Sequence, residues 1–204
     1  MARVQKRSPE VFLNIPYDEK FERLFLAFIS GISAFGLVPR ATLEITTSVR
    51  RLDRILNLIR QCEYSIHDLS RVQMDRGFPP TPRFNMPFEL GLSVALEGTA
   101  KSSRRGWFVC ESRRYRLGKS LSDLNGTDPF IHDGTIEGVF RELGNMFRRP
   151  GIDPSVQQMR TIYRELSGGL NVTLRKAGSR TPYTARVFRD LCVLASDAAE
   201  EVVL

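Results

Sequence analysis

Between residues 10 and 149 short apolar runs alternate with helical segments, and this alternation limits what the chain can fold into more than any other feature. Val11-Phe12-Leu13-Asn14-Ile15 is an apolar run stopped by Pro16, which predicts a buried strand. Phe21, Leu24, Phe25, Phe28, Ile29, Ile32 and Phe35 then recur at helical spacing and give one wide apolar stripe. Asp18 and Glu19 suit the start of that helix and Gly36 its C-terminal cap.

The pattern repeats. Leu37 to Leu43 predicts an edge strand, because it contains Pro39. Leu52, Ile55, Leu56 and Ile59 mark a second helix, and Tyr64 to Leu69 a third strand. A loop rich in Gly and Pro, Arg71 to Arg83, precedes a helix over 86–97. Gly106 to Cys110 and Pro129 to His132 predict two further strands, with loop over 112–127 and a helix over 134–148. Strands alternating with helices imply a parallel sheet covered on both faces. The fold class expected is α/β: a flavodoxin-like, doubly wound, five-strand parallel sheet in the order 2-1-3-4-5. Residues 150–204 differ, and predict a C-terminal helical hairpin that packs on the domain or forms an oligomer contact. Asp153-Pro154 and Thr181-Pro182 read as its two helix starts, and Gly168-Gly169 as a kink or break. The domains expected are therefore 10–149 and an extension over 150–204.

Composition excludes some functions. No apolar run reaches the roughly 18–20 residues of a membrane span. The basic N-terminus is followed by no apolar signal region, and Cys62, Cys110 and Cys192 form no disulfide framework, so a cytoplasmic protein is expected. The net charge of +7 favours an anionic partner. Its arginine pairs, such as Arg50-Arg51 and Arg104-Arg105, are scattered, which makes nucleic acid the less favoured partner. No GxGxxG or GxxxxGK[ST] is present, and no histidine has a partner at metal-ligand spacing, so neither a bound cofactor nor a metal is expected.

In an open parallel sheet ligands bind beyond the carboxyl ends of the strands. Those ends carry Asn14, Pro16 and Tyr17, then Arg40, then His67 and Asp68, then Glu111, then His132 and Asp133. The loop after Asp68 delivers Asn85 and Glu89 to a helix start on the same rim. A carboxylate there can stabilise or trap an oxocarbenium-like sugar, and a second one can move a proton. Glu89 is the candidate for the first role and Asp68 for the second. The plainer alternative for Glu89 is a charge in a first helical turn that complements the dipole. His67 and His132 are a base, a ribose contact or hydrogen-bonded edge residues.

Three stretches occur in order: Val-Phe-Leu-Asn-Ile-Pro-Tyr-Asp-Glu-Lys-Phe at 11–21, Ser-Ile-His-Asp-Leu-Ser at 65–70 and Asn-Met-Pro-Phe-Glu-Leu-Gly-Leu-Ser-Val-Ala at 85–95. Together they resemble TIR-like proteins related to nucleoside 2-deoxyribosyltransferases. The resemblance covers about 10–140, and Asp68, Asn85 and Glu89-Leu90-Gly91 are its most specific part. It implies a nucleotide ligand, with Glu89 acting at the sugar C1′ carbon. Transferases of that family carry an acid shortly before the glutamate, where this chain has Thr81-Pro82-Arg83-Phe84. That departure implies a phosphorylated ligand such as NAD, with Arg83 or Arg71 on phosphate. Many such proteins cleave NAD in bacterial immunity, and others only sense or scaffold. On either reading the C-terminal helices are expected to mediate homo-oligomer assembly.

Overall fold

The computed structural model describes residues 8–44, 50–72, 74, 77–97 and 106–203. Arg104 and Arg105 lie outside the described residues. Five parallel strands form one sheet: β1 (Glu10–Asn14), β2 (Val38–Ala41), β3 (Tyr64–Asp68), β4 (Gly106–Glu111) and β5 (Phe130–Ile131). Their order is β2-β1-β3-β4-β5, as the alternation predicts. β2, with Pro39, is an edge strand. The helices are α1 (Glu22–Ala34), α2 (Arg51–Gln61), α3 (Asn85–Glu97), the one-turn α4 (Leu117–Ser120), α5 (Ile136–Met146), α6 (Val156–Ala177) and α7 (Ala185–Val202). The segment 112–127, read from sequence as mostly loop, holds α4 and a 3-10 turn at Ser122–Leu124.

Alternation along β1 divides the core. Val11 and Leu13 pack with α1, whereas Phe12 packs with Ile55, Leu58 and Ile59 of α2. Leu69, Val109 and the α3 residues Met86 and Leu90 form a third cluster. One sheet face therefore carries α1 and α5, the other α2 and α3. The period of two in a strand is the physical cause.

α1 ends in a Schellman arrangement. Gly36 has φ +63°, its N–H donates to Ser33 O, and the Leu37 N–H donates to Ile32 O. Every residue of α1 from Leu24 to Ala34 is buried. A helix with only a sheet on one side would keep a wet face, so something else must cover this one. The cover is the C-terminal hairpin. Met159, Ile162 and Leu166 of α6 and Val187, Phe188 and Leu191 of α7 lie in the same cluster as α1. The two alternatives for the hairpin are thus partly resolved: its apolar faces pack on the domain.

Three local expectations are corrected. α6 is capped by Ser155, not by Asp153-Pro154: the Ser155 hydroxyl accepts from the Gln158 N–H, and the Gln158 side chain returns to the Ser155 N–H. That reciprocal pair satisfies two otherwise orphaned donors, which an Asp-Pro start does not. Thr184, not Thr181-Pro182, caps α7 by accepting from the Val187 N–H. Gly168-Gly169 neither kinks nor breaks α6, which runs unbroken through both. A Cβ on Gly169 would lie 3.0 Å from Leu194 Cδ2 of α7, so this glycine permits close helix approach.

Candidate active site

In the order 2-1-3-4-5 the connections reverse between β1 and β3, and a crevice opens beyond their carboxyl ends. Asn14 ends β1 and is paired in register with His67. Its side-chain Nδ2 donates to His67 Nδ1 at 2.9 Å and to the Met86 carbonyl at 2.8 Å. Both donors of one buried amide are thus used to tie β1, β3 and the first turn of α3 together. Because His67 Nδ1 accepts, the ring proton sits on Nε2, which donates to Ser65 Oγ at 3.0 Å. Burial lowers the His67 pKa to about 3. His67 is a neutral structural link at physiological pH, and no proton is available from it there.

α3 begins at Asn85, with the first helical bond from Phe88 N–H to Phe84 O. Pro87 falls in the opening turn, where its missing N–H removes nothing. Glu89 is the fifth helical residue, and no acid occupies the first turn. This corrects the expected first-turn position. The dipole effect fades beyond the first turn, so complementing it explains Glu89 poorly. Asn85 and Glu89, four apart, share a helix face. Asn85 is exposed, whereas Glu89 is only 6% exposed. Burial raises the Glu89 pKa to about 7, and the Arg51 guanidinium pulls it back part of the way. No hydrogen bond from the described residues reaches this carboxylate. Tyr17 completes the group: its hydroxyl lies 3.4 Å from both the Leu13 carbonyl and Thr42 Oγ1. Burial raises the Tyr17 pKa, and the Glu89 charge adds to that effect. Pro16, buried, turns the chain from β1 toward Tyr17.

Asp68 goes elsewhere. His67 faces α3, so the next residue in the strand faces the other way, toward α1. Asp68 Oδ2 accepts from His132 Nε2 at 2.9 Å, its Oδ1 accepts from the Ser70 N–H at 2.8 Å, and the Phe28 ring of α1 lies edge-on to His132. Asp68 and Glu89 are not brought together. Ser70, His132 and Asp68 look superficially like a nucleophilic triad. Ser70 Oγ and Asp68 Oδ2 share the same ring nitrogen, however, while His132 Nδ1 accepts from the Gly134 N–H. The ring therefore offers Ser70 no free lone pair, and the group holds the end of β3 in place.

The predicted arginines divide too. Arg40 is occupied by Glu10 at 2.7 Å and by Glu44 at 3.0 Å, which removes it from the ligand-binding set. Arg71 pairs with Asp18 at 2.8 Å. Arg83 is exposed on the approach to α3. Arg51, whose charge reaches both Glu89 and Tyr17, was not singled out from sequence. The signal was present, since Arg50-Arg51 directly precedes an amphipathic helix. Glu111 is a second buried carboxyl at 1% exposure, with neither oxygen hydrogen-bonded, and burial raises its pKa to about 7. Burial raises the thiol pKa of Cys62, Cys110 and Cys192, that of Cys62 to about 12, which suits structural thiols rather than nucleophiles. Among the described residues no three His, Cys, Asp or Glu side chains form a metal-ligand set, and no helix is long and apolar enough to cross a membrane.

The fold and site together define a flavodoxin-like α/β protein with a buried carboxylate at the β1/β3 switch point. No protein-family model, no curated protein and no solved structure matches this chain.

Proposed function

We propose that this protein binds a nucleotide at the switch-point crevice and cleaves its N-glycosidic bond, with NAD as the favoured substrate. One observation carries the reading: Glu89 is a buried carboxylate with no hydrogen-bonding partner among the described residues, beside Tyr17 and the Arg51 charge. A structural carboxylate in such a place is ordinarily paired. A carboxylate kept for a cationic sugar is not.

The geometry also bears on the leaving group. With Asp68 committed to His132 and Ser70, only one carboxylate faces the crevice. Expelling an ordinary base requires a proton donor as well as a stabiliser. The pyridinium of NAD leaves without one, because the bonding pair of the C1′–N bond neutralises its own positive charge. Glu89 then stabilises or traps the C1′ cation, and water adds its oxygen to C1′ and releases a proton. Arg51 and Arg83 supply positive charge for the phosphates. The resemblance to NAD-cleaving immune effectors points the same way.

Purified protein incubated with NAD is expected to release nicotinamide, detected by chromatography. Glu89→Gln should lower the rate on the order of 10²-fold or more. Undiminished release in that variant sinks the mechanism. Met74, Phe78, Phe84 and Phe88, all exposed near the site, favour a second reading, a non-catalytic nucleotide-sensing module that self-associates. That reading expects heat of NAD binding by calorimetry with no turnover.

A further inference from the structure

The largest concavity of the described residues lies away from Glu89, at the β5 edge of the sheet. It measures about 720 Å³, within the range of small-molecule sites. Leu117 of α4, Leu124 and Ile131 of β5 give it an apolar floor, and Tyr115, 83% exposed, stands at its mouth. Its charges do not cancel. Arg141 is bonded to Glu142 at 2.9 Å and to Asp133 at 3.3 Å, which neutralises both acids. Asp128 is left against two cations, Arg114 and Lys119, neither of which has an ion pair among the described residues.

Both walls of the cavity are tied to one short segment. Tyr115 and Leu117 flank Arg116, whose Nη1 donates to the Ser70 carbonyl at 3.0 Å and whose Nη2 donates to the Leu69 carbonyl at 3.3 Å. Ile131 and Asp133 flank His132, whose ring holds Asp68 and Ser70 Oγ at 2.9 and 3.1 Å. Asp68 to Ser70 is where the chain leaves β3 on its way to α3. Filling the cavity presses on two walls that grip the same three residues. Each grip uses a directional hydrogen bond, so a small displacement changes it.

We propose that this cavity is a second binding site, for a small organic anion with an aromatic or apolar body, and that its occupation is transmitted to Asp68–Ser70. The apolar floor accounts for the body of the ligand and the excess cations for its charge. The inference stands whether or not Glu89 cleaves a substrate, because it is read by binding and not by turnover.

The test uses the full chain, amide chemical-shift mapping and two probes, naphthyl phosphate and the neutral naphthalenemethanol. Naphthyl phosphate should shift the amides of residues 114–128 in a saturable way. The neutral probe, or Arg114→Ala with Lys119→Ala, should weaken binding at least about tenfold, the scale of one lost charge-assisted hydrogen bond. Both side chains are exposed, so the double variant should fold. Equal affinity for the neutral probe, or shifts confined to the exposed phenylalanines at 78, 84 and 88, overturns the site. Saturation should also slow hydrogen exchange at the Ser70 amide. Arg116→Lys, which keeps the charge but loses the fork, should abolish that slowing while leaving the shifts at 124–128. An unchanged Ser70 amide in the wild-type protein overturns the transmission.

Discussion

A carboxyl whose pKa rises on folding costs stability wherever it ionises. Glu89 moves from 4.5 to about 7, so the folded state holds its proton more tightly than the unfolded chain. Folding stability is then undiminished below pH 4.5 and falls as pH rises toward 7. The full cost at higher pH is about 3 kcal/mol, an order-of-magnitude value. Glu89→Gln should therefore stabilise the protein at pH 8 by up to about 3 kcal/mol and have little effect near pH 4, measured by urea unfolding at both. A residue that destabilises its own fold needs another reason to be there, which is why this measurement bears on function. His67 has the opposite sign. Its pKa drops from 6.5 to about 3, so stability is lost as pH falls below 6.5. Asn14→Ala leaves His67 Nδ1 and the Met86 carbonyl without their donor, which should cost roughly 1–3 kcal/mol and raise hydrogen exchange at the start of α3. How far residues were legible differs by case. Glu89 and Asn85 could be picked from sequence because they follow a strand and a loop. The separation of Asp68 from Glu89 was also encoded, since His67 and Asp68 are adjacent in a strand and must face opposite ways. What was not encoded is which face α3 covers.

At the scale of elements, the two adjacent glycines of α6 make opposite demands. Gly168 is exposed and a Cβ there meets nothing within 4 Å, whereas at Gly169 it meets Leu194 at 3.0 Å. Gly168→Ala should raise stability by about 1 kcal/mol, the helix-propensity difference. Gly169→Ala should gain less or lose, because Leu194 must shift. Thermal unfolding of the pair separates propensity from packing, and equal gains would refute the close approach of α6 and α7. Sequence gave the existence and type of these helices through their apolar spacing. It misplaced their starts because three candidate caps, Asp153, Ser155 and Thr181, precede apolar residues, and Ser155 prevails through its reciprocal bond with Gln158. α4 was missed because one turn is too short to show a period.

For the whole molecule, the hairpin α6–α7 is part of the core. Leu166 is fully buried in the cluster that contains α1. Leu166→Ala should cost roughly 2–5 kcal/mol in urea unfolding. Deleting residues 150–204 should leave α1 with an apolar outer face and give aggregated or unfolded protein by size-exclusion chromatography and circular dichroism. A soluble, folded remainder would show the hairpin to be an appendage. Any self-association through these helices must use their outward faces, where Val172 and Val193 are exposed.

By itself the sequence determined the parallel five-strand sheet, its order, and the rim on which Asn14, Tyr17, Asn85 and Glu89 lie. Strand and helix periods and the handedness of crossovers are local properties, and they leave few topologies open. Only the tertiary structure decided what each rim residue touches. It sent Asp68 to His132, Arg40 to Glu10 and Glu44, and the hairpin to α1, while leaving Glu89 buried with no hydrogen bond from the described residues. Burial and pairing depend on which distant segments meet, and a carboxylate's chemistry is set by those neighbours.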